Sequence, residues 1–209
     1  MAILPLFILP ITAIAIIALP IVVTNLQQLL SEKNWREIMY RYKYMACFML
    51  LASFLSSQLL TQISVELISA VIGFALALFA IYSLFNFTIP ITAHPAWQIL
   101  AGASSGLLSG MTGIQSTAII YFASLNISKN EFVGGVGYIF LIGGLGLTIG
   151  LLNNNLLNSS TGMLSLFGVL FSVVGFKLGS LLRPYIHSEL FKKLLFLLML
   201  IIGMKQIYQ

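Results

Sequence analysis

The feature that most constrains this chain is an apolar run from Trp97 to Asn126 that is interrupted by small and polar residues. Three glycines spaced four residues apart share one helix face, and two serines repeat at the same interval beside them. A face without side chains lets a second backbone approach closely, which is how helices pack in lipid. We therefore predict a close-packed helix here. The glycines are Gly102, Gly106 and Gly110, and the serines are Ser105 and Ser109.

The end of the glycine row is polar, because Gly113 opens the stretch GIQST. In lipid, irregular or polar backbone persists only where it is buried in protein or lines a wet cavity. We therefore predict a helix break near Gly113, with a second half-helix beginning there. The N–H groups of Ile114 to Thr117 would face the break, where a helix N-terminus carries about half a positive charge and binds anions. The predicted substrate-binding residues are Ser105, Ser109, Thr112, Gly113, Gln115, Ser116 and Thr117.

The whole chain has the composition of an integral membrane protein. Its 209 residues are 59% hydrophobic and 7% charged, more apolar side chain than a soluble domain of this size can bury. A spanning helix needs roughly 20 apolar residues. We predict an all-α, polytopic membrane protein with about seven membrane segments in one membrane domain. The basic residues lie at predicted helix ends, which favours orientation signals in a cell membrane over nucleic-acid binding.

An internal repeat is indicated by residues that recur 123 positions apart. We predict a first, incomplete repeat over residues 1–88 and a second over residues 96–209. The loop from Ser31 to Lys43 carries four cations and is predicted to be cytoplasmic. In the first half the cations lie in the loop after the first membrane segment, whereas in the second half, counting from the end of the Trp97–Asn126 run, they lie after the second. The two repeats are therefore predicted to be inverted. The Trp97–Asn126 run would then enter and leave the membrane on the same side. The recurring residues are Ser57, Leu59, Ile63, Glu66 and Leu67, matched by Ser180, Leu182, Ile186, Glu189 and Leu190.

Enzyme chemistry finds little support in this sequence. Gly102 to Gly106 matches G-x-S-x-G, but that motif needs a strand–turn–helix setting. The chain has no Asp, and its two histidines, His94 and His187, lie outside the predicted spans. No metal-ligand set, phosphate loop or cofactor motif is present, so we expect no enzyme activity, cofactor or metal. Glu131, the acid nearest to the broken helix, is a candidate carrier of a coupling proton.

The order of these motifs resembles the sulfite exporter TauE/SafE family of membrane transporters. The stretch from Leu100 to Gly113 is similar to the family's glycine-rich G-xx-SG-xx-G signature, and the stretch from Gly175 to Gly203 is similar to its C-terminal end. Ala13 to Asn25 is similar to the segment that follows the first signature of the family. The resemblance covers essentially all 209 residues. It implies transport of a small anion, typically a sulfur-containing one such as sulfite or an organosulfonate, often outward.

The chain departs from the family pattern in two places. Members usually carry the glycine-rich signature twice, and this chain begins after the place of the first copy, which indicates a truncated N-terminus or a shortened form. After Gly113 the family tends to continue with glycine or proline, whereas this chain has Ile114, Gln115 and Ser116, which puts the substrate type in question.

Three interpretations of the function stay open at this point. The first is a secondary transporter of small anions, with a proton or sodium as coupling ion. The second is a non-transporting membrane subunit of a larger assembly, and the third is a passive anion pore. A homo-oligomer in the lipid bilayer is compatible with each of them.

Overall fold

The computed structural model describes residues 4, 7–85, 91–182 and 201, and within them the chain forms eight α-helices and no strand. The predicted all-α architecture is therefore confirmed. The predicted last segment, 190–207, lies outside the described residues except for position 201, as do the basic residues Arg183, Lys192 and Lys193. The helices are α1 (Pro10–Leu30), α2 (Trp35–Arg41), α3 (Lys43–Ser57), α4 (Val65–Phe85), α5 (Pro95–Thr112), α6 (Ser116–Ala123), α7 (Lys129–Asn153) and α8 (Ser159–Leu182).

Three of the described helices are long and apolar enough to cross a membrane: α1, α7, and α3 together with the 3-10 turn Gln58–Thr61. At 1.5 Å per residue, the 21 residues of α1 and the 25 of α7 span about 30–38 Å, which matches a hydrocarbon core about 30 Å thick. Shorter apolar helical stretches cover Val65–Ala77 and Ser159–Gly175.

Helix α1 begins later than its apolar sequence predicts. Apolar residues predominate in the sequence from Ala2 onward, but the helix begins at Pro10, which occupies the first helical turn. A proline is tolerated there because the N–H that it lacks would have no partner inside the helix. Pro20, by contrast, lies inside α1, where its ring removes the donor that would bond the Ile16 carbonyl.

The contacts of the glycines show the relative directions of the central helices. A Cβ atom added to any of the three glycines of α5, or to three of the glycines of α7, would meet atoms of α3, and the contacted positions rise along α3 as the glycine number rises. Helices α3, α5 and α7 are therefore parallel. On α5, Gly102 lies against Met45, Gly106 against Met49 and Gly110 against Ser53; on α7, Gly143 lies against Met49, Gly146 against Leu50 and Gly150 against Ser57.

Helix α1 runs the other way. Gly137 of α7 lies against Gln28, and Gly144 lies against Ile21, so the contacted positions fall along α1 as they rise along α7. We call the end of the bundle at the α2–α3 junction the Arg41 end, and the opposite end the Ser57 end. Helices α1 and α7, one from each predicted repeat, thus run in opposite directions, while the repeats themselves stay a prediction.

Helices α5 and α6 form a re-entrant hairpin. Helix α5 begins at the Arg41 end, where the Gln98 side-chain amide donates to the Arg41 carbonyl at 3.0 Å. Helix α6 returns to the same end, since the Phe122 ring lies 4.8 Å from the Tyr42 ring. Its eight residues are about 12 Å long, too short to cross the hydrocarbon core. The predicted broken, re-entrant segment is therefore present.

Close packing at Gly106 is tested by a Gly106→Ala substitution. The added Cβ would lie 2.7 Å from both the Met49 carbonyl oxygen and the Ala52 Cβ. Because the first of these atoms belongs to the backbone, we expect a loss of about 1–3 kcal/mol from overpacking. The measurement is the melting temperature of the purified protein in detergent.

The matched control is Gly162→Ala in α8, where an added Cβ meets no heavy atom within 4 Å. Alanine is the better helix former by roughly 0.5–1 kcal/mol, so this variant should be neutral or more stable. Equal melting temperatures for the two variants would contradict close packing of α5 on α3.

Candidate functional site

The α5–α6 hairpin breaks at three residues, Gly113 to Gln115. Helix α5 ends at Thr112, and Gly113 follows in the left-handed region at φ 70°. Residues with a side chain rarely adopt this conformation, so a glycine suits the position. Gln115 has φ −122° and ψ 33° and precedes the first residue of α6, Ser116. The predicted break near Gly113 is therefore confirmed. Helix α5 ends and helix α6 begins inside the protein.

The Ile114 N–H group at the break is hydrogen-bonded, and the next three backbone N–H groups have no acceptor among the described residues. The Thr112 hydroxyl donates to the Leu108 carbonyl at 2.6 Å and accepts the Ile114 N–H at 3.0 Å. The expectation that the Ile114 amide is free was therefore wrong, because the neighbouring threonine satisfies it. The N–H groups of Gln115, Ser116 and Thr117 have no acceptor within the described part of the chain. These three amides form the N-terminus of α6.

Gln115 lies deep in the bundle, against α7. Its side chain is 4% exposed, and its amide nitrogen donates to the Phe140 carbonyl at 3.4 Å. A Cβ added to Gly143 would come within 3.1 Å of the same nitrogen, so this helix leaves space for the glutamine. The bond to Phe140 is long, and the amide oxygen is buried without a partner among the described residues. One long hydrogen bond therefore holds this amide among the described residues.

A cleft of about 280 Å³ opens beside the break, between α1, α7 and α8. None of its described lining residues is charged, so the electrostatic field within it comes from backbone dipoles and neutral polar groups. The partial positive charge at the start of α6 is one of these sources. The lining residues are Ile17, Pro20, Ile21, Thr24, Gly113, Gln115, Phe140 and Ser172.

The predicted site residues do not all meet at this cleft. Gly113 and Gln115 line it, and Ser116 follows directly as the first residue of α6. Ser105 precedes Gly113 by eight residues, so it lies about 12 Å away along the axis of α5. Ser109 is fully buried, as is Thr112, whose hydroxyl is occupied by backbone groups. Pro20 and Ser172 reach the cleft from α1 and α8, which no local sequence pattern indicates.

Six side-chain oxygens are buried without a hydrogen-bond partner among the described residues, and all six belong to the stretch from Gln98 to Tyr121. The equally buried serines of α3 are bonded: Ser53 donates to the Gly143 carbonyl and Ser56 to the Gly106 carbonyl. An unpaired buried group costs about 1–3 kcal/mol, so six cost on the order of 10 kcal/mol, as much as a whole domain's stability. Buried polar groups of this kind are commonly met by ordered water or a ligand. The six oxygens are Gln98 Oε1, Ser105 Oγ, Ser109 Oγ, Gln115 Oε1, Thr117 Oγ1 and Tyr121 OH.

Comparison with known proteins identifies the family of this chain. The family model described as Sulfite exporter TauE/SafE matches residues 1–206. The chain belongs to the TauE/SafE family. No curated protein and no solved structure matches it. Membership makes this protein a membrane-embedded transporter of the sulfite or anion exporter type, and the helix break described above lies within the matched residues.

A second polar group of this TauE/SafE protein lies at the Arg41 end. Arg41 and Glu131 form an ion pair at 2.7 Å, and the Tyr42 hydroxyl donates to the same carboxylate oxygen at 2.8 Å. Burial and the adjacent Glu131 raise the pKa of Tyr42 above its usual value, so it stays a neutral donor at physiological pH. The sequence drew attention to Glu131 alone, because Arg41 and Tyr42 lie about 90 positions away.

An open polar cleft of about 570 Å³ lies in front of this ion pair. The side chain of Arg41 is 47% exposed, whereas that of Glu131 is 20% exposed. The side chains of Glu32, Lys33 and Glu37 line the same cleft. Within the described residues, no group of three acidic, histidine or cysteine side chains is placed to hold a metal ion.

The shape of the break is tested by Gly113→Ala. Because the residue has a φ of 70°, a side chain should cost about 1–2 kcal/mol and shift the first turn of α6. We expect a lower melting temperature than that of the wild-type protein. Gly175→Ala in α8 is the control, since an added Cβ there meets nothing within 4 Å. If Gly113→Ala proves as stable as Gly175→Ala, the left-handed turn at the break is not required.

Proposed function

We propose that this protein is a secondary transporter that moves a small anion, sulfite or an organosulfonate, out of the cell through a site at the helix break. The anion would lie in the 280 Å³ cleft with its negative oxygens toward the amides of Gln115, Ser116 and Thr117. The observation that carries this proposal is the N-terminus of α6, which has free amides deep inside the bundle. Discontinuous helices near the midplane are a recurrent transporter arrangement.

The neutral lining of the cleft suits transport better than permanent binding. A buried lysine or arginine would need its own counter-charge and would hold an anion tightly. Partial charges on amides and hydroxyls offset part of the anion's lost hydration and still allow release. The Gln115 amide adds to this set, because rotation of its weakly held side chain would point its N–H groups into the cleft. Ser172 also lines the cleft and can add a hydroxyl donor, whereas the hydroxyl of Thr24 donates to the Pro20 carbonyl at 2.7 Å.

The orientation and the coupling ion belong to the same proposal. The cationic loop from Ser31 to Lys43 lies at the Arg41 end, and the positive-inside rule favours the cytoplasm for it. The α5–α6 hairpin would then enter and leave on the cytoplasmic side of the plasma membrane. A proton or a sodium ion is the expected coupling ion, since the chain has no phosphate-binding loop with which to use ATP.

Transport by the purified protein in lipid vesicles tests this function. We expect labelled sulfite or a taurine-like sulfonate to exchange across the membrane and to accumulate against its gradient when an ion gradient is applied. Sulfate is the comparison anion. Conductance without accumulation would favour a passive pore instead. An absence of flux that a partner protein restores would favour a non-transporting subunit.

The role of Gln115 is tested by Gln115→Leu, which keeps most of the side-chain volume and removes the amide. A hydrogen bond to a charged group contributes about 1.5–3 kcal/mol, so anion affinity should fall roughly 10-fold to 100-fold. Stability should change little, because the only described bond lost is the 3.4 Å contact to Phe140. The measurement is the concentration dependence of uptake.

Gln62→Leu provides the control, because Gln62 is exposed and follows the 3-10 turn at the Ser57 end, far from the cleft. Its anion affinity should equal that of the wild-type protein. An unchanged affinity in Gln115→Leu would remove this residue from the site.

A further inference from the structure

The unpaired buried oxygens of the hairpin form two rows. Gln98, Ser105 and Ser109 are seven and four residues apart, so they fall within about 40° of one another on a single face of α5. Thr117 and Tyr121 are four residues apart and share a face of α6. Since α6 turns back along α5, the rows belong to the two arms of one hairpin.

The two rows run from the Arg41 end toward the break at Gly113. Gln98 is fixed at the Arg41 end by its bonds to the carbonyls of Arg41 and Ala93. Tyr121 lies near the same end, because its ring is 5.4 Å from Phe122, which packs on Tyr42. Gln115, whose side-chain oxygen belongs to neither row, lies at the break between the two helices and lines the cleft. From Gln98 to Ser109 the row is about 16 Å long.

We propose that the α5–α6 hairpin holds a file of bound water molecules, which carries the coupling proton between the Arg41–Glu131 pair and the anion cleft. The inference rests on the proposed function in one respect, namely that coupled transport needs a driving ion. The water file itself does not depend on it, since buried oxygens in lipid need hydrogen-bond partners whatever the protein transports.

The residue types suit a proton and not a metal cation. The hydroxyls of Ser105, Ser109, Thr117 and Tyr121 can each accept one hydrogen bond and donate another, which a proton relay requires. A proton arriving at one oxygen displaces another toward the next, so only O–H bonds form and break. Metal cations need several oxygen ligands around one point, whereas these oxygens are spread along two helices.

The outer end of the file lies at a charged cleft. Glu131 is the acid nearest to this end, and it faces Arg41 at 2.7 Å and the Tyr42 hydroxyl at 2.8 Å. Glu32, Lys33 and Glu37 lie on the walls of the cleft in front of it. We place proton exchange with solvent here, because the open cleft brings water to this end of the file.

Bound water in the hairpin can be detected directly by X-ray hydroxyl-radical labelling of the wild-type protein in lipid nanodiscs. Radicals form from water beside a side chain, so Tyr121 should be labelled although it is only 2% exposed. Phe122 is the matched control, because it is the next residue, fully buried, and packed between the rings of Tyr42 and Phe132. Labelling of Tyr121 no greater than that of Phe122 would overturn the water file.

The proton route is tested in vesicles that contain a pH-sensitive dye, with a gradient of methanesulfonate, which carries no proton itself. We expect anion movement to be accompanied by proton movement in the wild-type protein. Ser105→Ala and the isosteric Thr117→Val should both lose proton movement and labelling of Tyr121. Ser104→Ala should retain both, because this neighbouring hydroxyl is already bonded to the Ala101 carbonyl.

The two experiments separate the possible failures. Anion flux without proton movement would overturn the proton route and leave the proposed transport intact. Normal proton movement in Ser105→Ala and Thr117→Val would also overturn the route. If Tyr121 is labelled but no anion moves, the water file is supported and the proposed transport function fails.

Discussion

The close approach of α5 and α7 to α3 is the packing on which the rest of the bundle depends. Lipid tails are as apolar as leucine, so membrane helices gain little from hydrophobic burial and associate through close contact and hydrogen bonds. Glycine faces on α5 and α7 supply the contact, and the Ser53 and Ser56 hydroxyls bond carbonyls of both neighbouring helices. A side chain at Gly106 would separate these backbones.

This packing makes a helix break possible in the middle of the protein. A chain that left its helix in contact with lipid would expose unpaired amides at a cost of several kcal/mol each. Here the break at Gly113 is enclosed by α1, α7 and α8, which leave a cleft beside it. The same enclosure gives the free amides of α6 a low-dielectric setting, where a partial charge attracts an anion more strongly than it would in water. The close packing of the helices thus both permits the break and strengthens the proposed anion site.

Much of this arrangement could be predicted from local sequence. The four-residue spacing of Gly102, Gly106 and Gly110 indicated the packed face, and Gly113 followed by polar residues indicated the break. Hydrogen bonding within the break was not predictable, because a threonine can bond its own helix, solvent or a following amide. Thr112 does both the first and the last of these, because its hydroxyl donates to the Leu108 carbonyl and accepts the Ile114 N–H. The pairing of Arg41 with Glu131 was also hidden, since residues 90 positions apart give no sign of contact in a single sequence.

The sequence by itself determined the membrane class, the all-α architecture and the position of the break, because apolar length, glycine spacing and charge distribution act locally along a chain. Only the tertiary structure decided which polar groups meet. It brought Pro20 of α1, Gln115 of the break and Ser172 of α8 to one cleft, and it left six oxygens of the hairpin without partners among the described residues. The physical reason is that hydrogen bonds between helices depend on helix direction and rotation, which are set by packing across the whole bundle.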